Sequence, residues 1–176
     1  MKWLQEVAKV VSSNGLPVVW HTPIGLPVRQ FYTNQLAEFV KVYVAGKPRE
    51  VQFNKYGSTL NARKQTAGIS PNFVHGCDAS HMMRTISMCK DAGINDFSMI
   101  HDSYGVHCCD TEQLGNILRQ AFVAQYSVDV LGNFRDEIVS QLVNSGAGEL
   151  VKKLPELPAY GSLGLSVVLD SEYFFA

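Results

Sequence analysis

The sequence predicts a mixed α/β (α+β) chain, on three observations. Apolar residues recur at helical spacing near the start and again through the second half. Two segments alternate polar and apolar residues around turn chemistry. A 46% hydrophobic content over 176 residues suffices for one domain-sized core. Residues 1–176 are therefore expected to form a single unit. Charged residues make up 18% and the net charge is −1, so any surface for a polyanion has to be local. Lys2, Glu6 and Lys9 interrupt the start, and no apolar run approaches the roughly 18 residues of a membrane span, so neither export nor a membrane partner is expected.

Trp3, Leu4, Val7, Ala8 and Val11 follow the three-and-four spacing of an amphipathic helix, which Ser12 to Pro17 ends. Val18-Val19-Trp20 suits a short buried strand, and the prolines and glycine of His21 to Pro27 make a loop that feeds an extended segment. From Glu38 to Tyr43 and from Arg49 to Asn54 the residues alternate, and Ala45-Gly46-Lys47-Pro48 supplies a turn, so 38–54 reads as a β-hairpin. Lys41, Lys47, Arg49 and Lys55 cluster on or beside it, interleaved with Phe39, Tyr43 and Phe53, which makes it the best local basic patch. A solvated edge hairpin carrying charges alone has the same appearance.

His81 to Cys89 reads as a helix that buries Met82, Thr85, Ile86 and Cys89 and stops at Gly93. Phe97 to Ile100 rises into His101-Asp102-Ser103, and Tyr104 to His107 leaves again, so 97–108 is expected to be a tight hairpin with Asp102 at or near the bend. Asp110 or Thr111 can cap a helix whose stripe is Leu114, Ile117, Leu118, Ala121 and Phe122, and a further helix covers about Val130 to Asn144. Leu154, Pro155, Leu157 and Pro158 form a broken connection to a terminal segment, Tyr173-Phe174-Phe175-Ala176, whose aromatics suggest docking. Cys77, Cys89, Cys108 and Cys109 have neither CxxC nor disulfide-scaffold spacing, and a zinc centre from His107, Cys108 and Cys109 with His75 or Cys77 matches no structural zinc pattern; reduced thiols are expected.

The sharpest chemical signal is His101-Asp102-Ser103-Tyr104-Gly105. A carboxylate at a hairpin bend is held rigidly, as a divalent cation such as magnesium requires, although a turn aspartate also occurs for purely structural reasons. Upstream stand Pro71-Asn72-Phe73-Val74-His75 and Asp78-Ala79-Ser80-His81. In order and type these elements resemble the bacteriophage-type single-subunit DNA-directed RNA polymerases, where a Pro-Asn-Phe-Val-His stretch, an Asp-x-Ser-His helix start and a His-Asp-Ser-aromatic-Gly hairpin occur in series. The similarity extends to Lys64-Gln65, Gly68, Asp129 to Leu131, Leu154 to Ala159 and the terminal Phe175-Ala176, nearly the whole chain.

The resemblance implies the carboxy-terminal part of a right-hand polymerase fold: a palm hairpin flanked by helices, with a second hairpin projecting from a fingers-like region. It implies that Asp102 is one of two palm aspartates binding two Mg2+ ions, with His101 and Ser103 shaping the bend and His81 lying close to template and product strands. The 38–54 hairpin takes the place of the family's specificity loop, with Lys41 and Arg49 where contacts to promoter DNA are expected, and Phe175 and Ala176 take the place of a terminus that packs toward the active site. The implied partners are a DNA template and promoter, an RNA product and nucleoside triphosphates. The family's other aspartate and its nucleotide-gripping Lys/Tyr helix lie upstream and are not found here, so a missing amino-terminal portion is a further implied partner and the chain alone is expected to be inactive. A related DNA polymerase usually has glutamate where Ser103 stands. Gly105 points to the phage branch, hence to the cytoplasm of an infected bacterium, whereas His107 points to a mitochondrial or other organellar enzyme. A non-catalytic nucleic-acid-binding remnant is the reading from another class.

Overall fold

In a computed structural model, which describes residues 1–171, 173 and 174, the amphipathic start forms helix α1 (Lys2–Ser13), with Leu4, Val7, Ala8 and Val11 on its buried face. The expected short strand is β1 (Val18–His21), which buries Val18 and Trp20 and leaves Val19 between them half-buried. It pairs antiparallel with β2 (Pro27–Gln30), from Val18 opposite Gln30 to His21 opposite Pro27. Trp3, Trp20, Phe73 and Phe134 meet with ring centroids between 5.1 and 6.3 Å apart, in tilted or edge-on geometry. Each such pair adds about 0.5–1.5 kcal/mol beyond the area it buries. These rings anchor the larger core, to which α1, β1, helix α2 (Ala62–Asp91) and helix α4 (Val130–Asn144) all contribute.

Helix α2 corrects the sequence reading. Its 30 residues run unbroken through Pro71, so Asp78-Ala79-Ser80-His81 is a mid-helix segment and not a helix start. Pro71 removes one backbone donor and disfavours helix at the residue before it, which is why the sequence suggests a break. Burial of Ile69, Ser70 and Phe73 around that point overrides the local preference. Asn61 caps the helix, its side-chain oxygen accepting from the Lys64 N–H at 2.9 Å. The buried stripe is Gln65, Ile69, Phe73, Cys77, His81, Thr85 and Cys89, so Met82 and Ile86 flank it and do not form its centre. A four-residue step over-rotates by about 40° on an α-helix, so this stripe winds around the axis. Its first half therefore faces the larger core, and its last turn faces a second cluster of Cys89, Ile94, Leu114, Ile117 and Leu118.

The long hairpin pairs β3 (Thr33–Val44, 12 residues) with β4 (Lys47–Leu60, 14 residues). Ala45 (φ 50°) and Gly46 (φ 75°) alone make the turn, the left-handed pair that suits strand twist. Lys47 and Pro48 belong to β4, not to the turn. The pair Tyr43–Pro48 lies next to the closing pair Val44–Lys47, in the non-hydrogen-bonded position where proline costs no ladder bond. A second hairpin, β5 (Ser98–Ile100) with β6 (Ser103–Gly105), leads through a 3₁₀ turn at Cys108–Asp110 into α3 (Thr111–Tyr126). Beyond α4, 3₁₀ turns at Gly148–Lys153 and Leu165–Asp170 carry the chain back along α3, where Arg119 Nε donates to the Ser171 carbonyl at 2.8 Å. The chain is thus α+β, with helices around small antiparallel two-stranded sheets.

Candidate catalytic cleft and nucleic-acid hairpin

Two residues, His101 and Asp102, turn the β5–β6 hairpin, and His101 adopts φ 54°, a conformation that L-residues seldom take. This sharp turn exposes Asp102 at the tip. Ser103 opens β6 opposite Ile100, while Gly105 lies opposite Ser98, whose carbonyl oxygen would be 3.3 Å from any Cβ added there. Tyr104 fixes the hairpin to the body, beside Phe97 and Val106. Its hydroxyl is 3.2 Å from His81 Nδ1, and His81 Nε2 is 3.1 Å from the Leu118 carbonyl. A carbonyl only accepts, so Nε2 carries the proton of the neutral ring and Nδ1 accepts from Tyr104. Burial holds the His81 pKa below its usual value, consistent with that neutral form. Tyr104 is pushed up to about 12, first by burial and then by the negative charges of Asp78 and Asp102.

Asp102 and His101 face a cleft of about 610 Å³ whose other wall is His75, Asp78, Ala79 and Met82. Those four follow three-and-four spacing, so one face of α2 supplies the wall. His75 and Asp78 went unassigned in the sequence because a helix start drawn at Asp78 hides this spacing; a continuous helix brings both to the cleft. His81, expected beside the nucleic-acid strands, is only 4% exposed and spends its ring on Tyr104 and Leu118. It supports the hairpin from behind, and the histidine on the open wall is His75.

Asp102 and Asp78 offer the hard oxygen donors that magnesium prefers. Among the described residues, however, no group of three or more His, Cys, Asp or Glu is placed to hold a metal ion. The four cysteines are free thiols, Cys77 and Cys89 buried and Cys108 and Cys109 exposed.

On the long hairpin, Lys41 pairs across the ribbon with Glu50, and its neighbour Val42 pairs with Arg49. Successive pairs point to opposite faces, so Lys41 and Arg49 do not share a surface. Arg49 lies on the face of Lys47 and Lys55, with Val40, Val42, Val51 and Phe53; Lys41 lies on the face of Phe39, Tyr43 and Tyr56. Phe175 and Ala176 lie outside the described residues, and nearby Phe174 packs on Phe122 with ring centroids 5.1 Å apart. No helix among the described residues is long and apolar enough to cross a membrane.

Residues 1–153 match the sequence profile of the DNA-dependent RNA polymerases. DNA-directed RNA polymerase 3, chloroplastic, of Nicotiana sylvestris is 38% identical over 175 residues, which is 99% of this chain and 17% of that protein. DNA-directed RNA polymerase 2, chloroplastic/mitochondrial, of Arabidopsis thaliana is 37% identical over 99% of this chain and 16% of its own length. DNA-directed RNA polymerase 2A of Nicotiana tabacum is 35% identical, and there the match spans 49% of the relative. The chain thus spans about 17% of the length of the first of these relatives. On these matches the chain belongs to the DNA-dependent RNA polymerase family of the single-subunit, phage-type kind.

Proposed function

We propose that this chain is the carboxy-terminal portion of a DNA-directed RNA polymerase, and that Asp102 is one of two aspartates at its catalytic centre. The observation that carries the proposal is Asp102 exposed at a two-residue bend, facing a cleft walled by α2. In the complete enzyme an upstream portion brings the second aspartate and the residues that grip the nucleotide. Asp102 would help hold a paired magnesium centre, which when bound would supply activation of the RNA 3′ hydroxyl and charge stabilisation of the departing pyrophosphate. What this chain contributes is a fixed carboxylate: His101 and Ser103 set the bend, and Tyr104 with His81 hold it against α2 and α3.

The long hairpin presents Arg49, Lys47 and Lys55 to promoter DNA, since a β-ribbon fits the major groove and an arginine bidentate to guanine discriminates by about 1–3 kcal/mol. Lys41, on the other face, is left to phosphate contacts. His75, exposed on the cleft wall, takes the position beside template and product strands first expected of His81. The relatives are named for chloroplasts and mitochondria, which favours an organellar enzyme over one acting in an infected bacterium.

Because one carboxylate cannot organise two metals, the purified chain alone is expected to add no nucleotides to a primed template with magnesium. Co-expression with an amino-terminal portion carrying the other aspartate is expected to restore synthesis. Extension by the chain alone would overturn the proposal.

A further inference from the structure

Side-chain amides buried in the protein join β2 to α2, the two elements that flank the long hairpin in the chain. Gln30, the last residue of β2, and Gln65, in the first turn of α2, are 4% and 0% exposed. Each bonds the other's backbone: Gln30 Nε2 donates to the Gln65 carbonyl at 2.6 Å and to Gln65 Oε1 at 2.8 Å, and Gln65 Nε2 donates to the Gln30 carbonyl at 2.7 Å. Asn72, two turns along α2, extends the network. Its Nδ2 donates to Gln30 Oε1 at 2.9 Å and to the Tyr32 hydroxyl at 3.0 Å. Tyr32 stands at the foot of β3, its carbonyl accepts from the Asn61 N–H at 2.9 Å, and its ring lies so close to Gly68 that a Cβ there would be 2.7 Å from Cε2.

Buried amides left unmatched are costly, and these amides are matched to one another across β2 and α2, which the hairpin's Thr33–Leu60 pair brings side by side. The network spans the foot of the hairpin and the first turns of α2, the helix whose next turns carry His75, Asp78, Ala79 and Met82 into the cleft. Beyond that foot the ribbon is a lever: Leu36, Phe39, Tyr43, Phe53 and Tyr56 are all exposed. Strands of 12 residues reach on the order of 40 Å. A tilt of about 5° at the foot then moves the tip by about 3.5 Å, roughly one base step along a DNA strand.

The structure assigns Gln30, Gln65, Asn72 and Tyr32 as positioning residues: a clamp that sets the angle of the hairpin on the helix lining the cleft, and so the register in which the tip meets duplex DNA. The second half of that statement rests on the proposed promoter role of the hairpin; the first does not. Gly68 is the part of the clamp that lets the Tyr32 ring approach α2 closely.

Spin labels on Lys47→Cys at the tip and Met83→Cys on α2 test the clamp in the full chain, with Cys108→Ser and Cys109→Ser removing the exposed thiols. The parent is expected to give one narrow distance distribution. Asn72→Ala and Tyr32→Phe are expected to broaden it, and Gly68→Ala to shift its mean, each by about 3 Å or more at the tip. Helical circular dichroism should stay unchanged. Gln65→Ala is the stronger lesion, and the milder variants decide the matter where it does not fold. Unchanged distributions in Asn72→Ala and Gly68→Ala overturn the clamp, whatever they do to melting temperature. Selection from random-sequence duplex DNA separates the two halves: the parent is expected to enrich guanine-containing sites, and Asn72→Ala to lose that enrichment while keeping its salt-dependent binding. Distances that respond while the parent enriches nothing uphold the clamp and overturn the promoter reading.

Discussion

The two exposed hairpins share a device and differ in everything behind it. Each turns on two residues with the first at positive φ, Ala45 in the long ribbon and His101 in the short one. The β5–β6 hairpin is short, and Tyr104 fastens it through His81 to α3, with Phe97 and Val106 packed on the second core cluster. The β3–β4 hairpin leaves both faces open and is held at its foot. On the proposed function, the braced hairpin carries the carboxylate that has to stay at one point, and the lever carries the surface that reaches for DNA.

The largest expected effect comes from removing the brace. His81→Ala leaves the Leu118 carbonyl without its ring donor and empties a buried position, and should cost about 2–4 kcal/mol of stability in urea unfolding. A change below about 0.5 kcal/mol would mean that the short hairpin is no better supported than the long one. Acid should loosen the same brace. Burial holds the His81 pKa below the 6.5 of a free histidine, so the unfolded chain takes up a proton that the folded chain resists. The stabilisation is complete above about pH 6.5 and is lost as pH falls through the folded value; His81→Asn should flatten that slope in denaturant midpoints.

How much of this was legible depends on how far each feature depends on distant residues. The limits of α4, the short hairpin and the bend at Asp102 are local matters of spacing and turn chemistry, and the sequence carried them. The continuity of α2 through Pro71 is not local, because it rests on what Ile69 and Phe73 bury against; with it went His75 and Asp78 as cleft residues and the true position of His81. The faces of Lys41 and Arg49 depend on the number of turn residues. An odd-numbered turn would have placed the two side chains together, and the even-numbered one separates them. The partnership of Gln30 with Gln65 left no periodic trace at all.

Smaller effects belong to the lever. Gly46→Ala puts a Cβ on a residue at φ 75° and should cost about 1 kcal/mol, seen as faster amide exchange in β3 and β4 while the exchange of α2 stays unchanged. Phe39→Ala, at an exposed ribbon position, should change global stability by less than about 0.5 kcal/mol. A larger loss would show that the ribbon packs on the body after all.

On the proposed function, the braced bend holds one catalytic carboxylate in place. Primer extension by the chain assembled with its amino-terminal portion, comparing the parent with Asp102→Asn, tests it most directly. Asp102→Asn is expected to lose roughly 100-fold or more in magnesium-dependent nucleotide addition, with template binding retained. Nucleotide addition at the parental rate in Asp102→Asn would contradict it.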